Sequence, residues 1–165
     1  MPDTALMVLD AQRHFLEGQD ALPTAAIMVT RLGTALEVAR TNGRLVVFVQ
    51  HDGAPGDLDE PRTPGWELFF EPEEDDWVVR KTTVDVFESN PALAAELAAS
   101  GVATIVVVGM RSESCVQESS IAAHDAGFAV QVPSALHATH GGSRPLAEIV
   151  SDVELVLTAA GVTIT

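Results

Sequence analysis

Asp10, Lys81 and Cys115 are the residues of this chain whose types combine into a definite chemistry. A thiol must lose its proton to attack a carbonyl carbon. A carboxylate within reach accepts that proton, and an ammonium beside both steadies the developing negative charge. Each of the three follows an apolar run: residues 5–9 lead into Asp10, residues 77–79 into Arg80 and Lys81, and residues 104–108 into Gly109 and the segment that carries Cys115. In open α/β sheets reactive groups collect beyond the carboxyl ends of strands, so these residues are expected to meet in one pocket.

The cysteine segment fixes the local expectation. Residues 104–108 are β-branched without polar alternation, as in a strand covered on both faces. Ser112 is expected to cap a helix whose first turns carry Glu113 and Glu118 and which stops at Gly127. Cys115 then lies in the first turn, where the helix dipole favours a thiolate. A lone cysteine also serves as a small buried apolar residue, and position alone does not separate the two roles.

The other elements must deliver Asp10 and Lys81. Met28, Leu32, Ala35, Leu36 and Ala39 share a helical face that ends at Asn42-Gly43, and residues 45–49 read as a strand. Residues 51–76 are rich in Gly, Pro and acids, with no sustained period, and are expected to wall the pocket. Residues 82–89 read as a loop, and Asn90-Pro91 as the cap and first turn of a helix through Leu93 and Leu97. A strand at 128–132, a loop at 134–143, a helical stripe from Leu146 to Leu157 and a last strand at 162–165 complete the chain. This alternation predicts a single domain over 1–165: a three-layer α/β/α sandwich around a mainly parallel, doubly wound, Rossmann-like sheet of about six strands.

Composition narrows the partners. The formal charge is −15, with 9 Lys and Arg against 24 Asp and Glu, which opposes binding to nucleic acid or to an anionic membrane surface. One cysteine excludes an intramolecular disulfide, and the opening residues MPDTALMVLD lack a basic leader, so a cytoplasmic protein is expected. Neither a Gly-rich dinucleotide fingerprint nor a P-loop occurs, so no cofactor is expected.

The same residues carry a resemblance. LMVLDAQRHFLEG is similar to the opening motif of the isochorismatase-like cysteine hydrolases of the nicotinamidase/isochorismatase superfamily. VVRKTTVDVF resembles their lysine segment and VVVGMRSESCVQESSIAAHDAGFAV their cysteine segment, in the same order. The resemblance implies cleavage of a C–N bond in a small amide, carbamate or ureide through a covalent acyl-enzyme. It makes Asp10 the general base, Lys81 the electrostatic and proton-relay partner and Cys115 the nucleophile. It further implies a cis peptide between Met110 and Arg111, oxyanion binding by the backbone N–H groups of Arg111 and Cys115, and a homo-oligomer, dimer or tetramer. Ser112 and Glu113 stand where many members have Thr-Asp, and Arg111 where a small residue is usual. Arg111 either pairs with a substrate carboxylate or turns outward to the acidic surface, the second being the expectation.

Nicotinamidase-like members hold a metal with an aspartate and two histidines after the second strand. Here His51, Asp52, Asp57 and Asp59 have no second histidine nearby, so no metal is expected. Phe15, His51, Trp66 and Met110 are the expected substrate-binding residues, whereas His14, His124, His137 and His140 are assigned surface or structural roles. Two other functions compete: vinyl ether hydrolysis of the isochorismatase type, which can dispense with the cysteine, and a non-catalytic redox-sensing or interaction module with one exposed thiol.

Overall fold

The central strands are runs of branched apolar residues, and they lie where both faces of a sheet are covered. In the computed structural model, which describes residues 3–165, β1 (Thr4–Leu9), β2 (Leu45–His51), β3 (Trp77–Lys81), β4 (Thr104–Met110), β5 (Ala129–Val132), β6 (His137–Ala138) and β7 (Thr163–Ile164) form one seven-stranded sheet. Met1 and Pro2, which open the stretch bearing on a leader, lie outside the described residues. The strand order is β3-β2-β1-β4-β5-β7, with β6 paired to β4, and every ladder is parallel.

Alternate residues of β1 face opposite layers. Leu6 and Val8 pack with Met28, Leu32 and Leu36 of α2 (Ala25–Thr41), while Met7 and Leu9 pack with Leu93 and Leu97 of α4 (Leu93–Ala99), Ala123 of α5 (Gln117–Asp125) and Leu157 of α6 (Leu146–Ala159). The result is the three-layer sandwich, its helices crossing between parallel strands. Among the described residues no helix is long and apolar enough to cross a membrane.

Several local expectations need correction. The loop expected at 134–143 contains β6, whose two residues are too few to show alternation, so the sheet has one strand more than expected. The loops after β1 and β3 contain short helices, α1 (Arg13–Leu16) and α3 (Val86–Ser89). Asn90 does not cap the following helix: its side-chain N–H groups donate to the carbonyls of Arg80 and Val86, closing α3 instead. Nor does Ser112 cap its helix. Residues Ser112–Val116 form a π-helical turn capped by Arg111, without a side-chain cap bond, and the α-helix begins only at Gln117.

The strand order reverses between β1 and β4, and this is the switch point where the site lies. The two strands approach so closely there that only glycine fits. Gly109 has φ +118°, and a Cβ on it would meet the Leu9 carbonyl oxygen at 2.1 Å. Because the obstacle is backbone, Gly109→Ala is expected to cost about 3 kcal/mol or more, read as a lower urea midpoint, with Gly127→Ala far milder.

Candidate active site

Each functional side chain leaves the sheet at a strand end. Asp10 follows β1 in the left-handed region (φ 50°), anchored by its N–H to the Val49 carbonyl at 2.9 Å. Lys81 is the last residue of β3, and Cys115 lies in the π-helical turn after β4. The Met110–Arg111 peptide bond is cis. Gln12, wholly buried, braces the junction by accepting the His51 N–H and donating to the carbonyls of His51 and Trp66.

The three residues converge. Lys81 Nζ lies 3.1 Å from Asp10 Oδ2 and 3.1 Å from Cys115 Sγ, and it donates a third bond to the Thr83 carbonyl at 3.2 Å. Asp10 and Lys81 are 2% and 1% exposed, so this ion pair is shielded from solvent, whereas Cys115 is half-buried. Asp10 Oδ1 is buried without a hydrogen-bond partner.

Electrostatics set the resting protonation. Burial pushes the Asp10 carboxyl above its ordinary value, against the pull of the Lys81 ammonium. Burial opposes the charge on Lys81 as well, but Asp10 and Cys115 together hold its pKa above the usual lysine value. For Cys115, burial and then the Asp10 charge push the thiol up to about 11 despite Lys81. Burial thus works against the thiolate that a helix start favours, and the turn at Cys115 is not yet α-helical. The Asp10 carboxylate is the acidic group brought nearest to the Lys81–Cys115 contact.

Above the thiol opens a cleft of about 400 Å³. Phe15 and His51 line it as expected, and the 51–76 loop contributes Asp57, Leu58 and Asp59. Arg111 is exposed at the rim of the cleft and turns to an acidic neighbour as expected, its Nε 3.5 Å from Glu113 Oε1. His14 and His140 also line it, correcting their assignment to surface or structural roles. The ring of His140 lies 5.8 Å from that of Phe15. Neither histidine had a sequence signal beyond lying shortly after a strand.

Two expected pocket residues are elsewhere. Met110 is wholly buried in the α2-side core, because the alternation of β4 sends it with Val108 away from the cleft. Trp66 lies behind the wall: its indole N–H donates to Asp52 Oδ1 at 2.8 Å, and the Arg80 guanidinium sits 5.0 Å from its ring centroid. Trp66→Phe is accordingly expected to leave KM within about twofold and to cost about 1 kcal/mol for the lost hydrogen bond, measured by steady-state kinetics and denaturant unfolding.

The polar side chains around His51 are engaged with one another or with other partners. Asp52 is committed to Trp66 and to Arg80, and His51 Nδ1 to Asp59 Oδ2 at 2.6 Å. Among the described residues no group of three or more His, Cys, Asp or Glu is placed to share an ion.

A thiol, a carboxylate and an ammonium meet at the carboxyl ends of this parallel sheet, a set of groups suited to nucleophilic attack on a carbonyl. The chain belongs to the isochorismatase family of hydrolases: residues 4–151 match the Isochorismatase domain. It is similar to a streptothricin hydrolase of Streptomyces noursei, with 44% identity over 150 residues that cover 90% of this chain and 53% of that protein. The chain thus spans about half the length of that curated relative. An isochorismatase of Pseudomonas putida KT2440 superposes with a TM-score of 0.90 at 25% identity, over 99% of this chain and 87% of that one. N-carbamoylsarcosine amidase of Thermoplasma acidophilum shares the fold, with a TM-score of 0.85 at 24% identity over 99% and 96% of the two chains.

Proposed function

We propose that this chain is a metal-independent cysteine hydrolase that cleaves the C–N bond of a small amide, carbamate or ureide through an acyl-enzyme on Cys115. The observation that carries the reading is the position of Lys81 Nζ, 3.1 Å from both the thiol sulfur and the carboxylate at the floor of the cleft.

The steps balance within these groups. Asp10 takes the proton from Cys115, and the thiolate attacks the carbonyl carbon while Lys81 holds the negative charge near the floor. The backbone N–H groups of Arg111 and Cys115 receive the oxyanion. Asp10 then passes its proton to the nitrogen, the C–N bond breaks and the amine leaves. Water, deprotonated by Asp10, attacks the thioester; Cys115 leaves as a thiolate and regains the proton from Asp10.

A redox-sensing module would not need the buried ion pair that Asp10 and Lys81 form, and vinyl ether hydrolysis would not need the thiol. The name of the Streptomyces noursei relative makes streptothricin the first compound to assay. N-carbamoylsarcosine and simple primary amides complete the panel, with isochorismate as the vinyl ether arm. Release of amine or ammonia, lost in Asp10→Asn, supports the reading. Turnover of isochorismate alone, undiminished in Cys115→Ala, contradicts it.

The pH profile follows from Asp10. Its carboxylate must be ionised to act, and its pKa stands above the ordinary 3.8, so kcat/KM is expected to rise with pH along a limb displaced above that value. No alkaline fall is expected until Lys81 loses its proton above the ordinary 10.5. A plateau already reached at pH 4 would contradict the assignment.

A further inference from the structure

Behind the cleft, a second chain of polar groups reaches the turn that carries Cys115. Ser112 and His137 are buried, at 0% and 4% exposure. His137 Nδ1 lies 2.9 Å from Ser112 Oγ, and its Nε2 lies 3.4 Å from Glu154 Oε1 of α6. Two residues on, Thr139 Oγ1 donates to Glu113 Oε1 at 2.8 Å, and Glu113 in turn faces Arg111. β6 itself is fixed to β4 through Gly109↔His137 and Met110↔Ala138.

Ser112, His137 and Glu154 have the composition of a nucleophile triad, but neither Ser112 nor His137 lines the cleft, so no substrate reaches that hydroxyl. Burial lowers the pKa of His137 against the pull of Glu154, so the imidazole is neutral near pH 7. Nε2 is buried and makes no hydrogen bond to Glu154, so the bond between His137 Nδ1 and Ser112 Oγ is the one that holds the ring, in the direction its tautomer sets. A buried polar group is costly unless satisfied, so the His137–Ser112 bond ties the start of the turn to β6.

We propose that His137 is a positioning residue: through Ser112 it locks the π-helical turn so that Cys115 Sγ stays against Lys81 and Asp10. The role rests on the hydrolase reading for its effect on turnover, but its effect on the thiol needs no substrate. The same strand that begins with this lock delivers, by way of Thr139, the cleft residue His140.

The test compares His137→Leu, His137→Asn and Ser112→Ala in the whole chain. Unlocking the turn exposes the thiol and returns its pKa toward the ordinary 9.0, so iodoacetamide alkylation of Cys115 at pH 8 is expected to rise about threefold or more in His137→Leu. On whichever amide turns over, kcat is expected to fall about tenfold with KM within about twofold, as loss of a buried hydrogen bond predicts. His137→Asn, whose side-chain amide can reach Ser112 from the place of Nδ1, is expected to restore both to within about threefold. Should His137→Leu fail to fold, Ser112→Ala removes the same bond with less change in volume and is expected to show the same rise in alkylation. Wild-type alkylation and kcat in a folded His137→Leu or Ser112→Ala variant would overturn the proposal. Should the hydrolase reading fail, the alkylation rates still decide the lock.

Discussion

Cys115→Ala is expected to lower C–N hydrolysis by about 10⁴-fold or more while leaving the fold intact, because under the proposed mechanism the thiol supplies the bond-forming electron pair and is the strongest nucleophile lining the cleft. Removing the sulfur deletes a half-buried atom that packs at the edge of the α4–α6 core, so the stability cost is about 1 kcal/mol. Kinetics and thermal unfolding on the same preparation separate the two effects. Lys81 and Asp10 would keep their 3.1 Å contact, so the variant retains its buried ion pair and should still bind substrate.

Lys81→Met should damage both properties. The ammonium is a wholly buried cation whose partners are a buried carboxylate, a thiol and the Thr83 carbonyl. Without it, Asp10 is left as an unpaired charge in a low dielectric, a change that typically costs about 3–5 kcal/mol. The carboxyl escapes part of that cost by taking a proton, but a protonated Asp10 cannot act as the base. Turnover is therefore expected to fall about 10³-fold, with a steep loss in thermal midpoint. The double substitution Asp10→Asn with Lys81→Met removes both charges and should recover most of the stability but none of the activity. Equal thermal midpoints for the single and double variants would mean that the pair is not coupled as the geometry indicates.

The strands that position these residues were legible because they are covered on both faces. Continuous branched runs at 5–9, 45–49 and 104–108 leave little room for another structure, and the pockets of parallel sheets form at such strand ends. β6 was not legible: its two residues pair with Gly109 and Met110, and nothing local in His137–Ala138 encodes a ladder supplied by a strand far away in sequence. The π-helical turn at Ser112 was hidden for a similar reason. Ser-x-x-x before an amphipathic stretch reads as a cap, but the hydroxyl is used by His137, a tertiary partner with no local signature.

The meeting of Asp10, Lys81 and Cys115 was legible from residue type and strand end, but the cleft around them only in part. Phe15 and His51 follow directly from the ends of β1 and β2. Met110 was misplaced because strand alternation, rather than nearness to Cys115 in sequence, decides which layer a side chain enters. Trp66 was misplaced because aromatic character signals burial without saying on which side of a loop. For Cys115 a helix start favours a thiolate by a modest margin, and the burial that raises its pKa depends on neighbours the sequence does not display.

The most direct test of the central claim is to weigh the intact protein after acid quenching during turnover of an amide substrate, then to map the labelled peptide. A mass increase equal to the acyl part of the substrate, carried on Cys115 and absent from Cys115→Ala, is the predicted result. Continued turnover with Cys115 fully alkylated and no acyl adduct at any time point would contradict it.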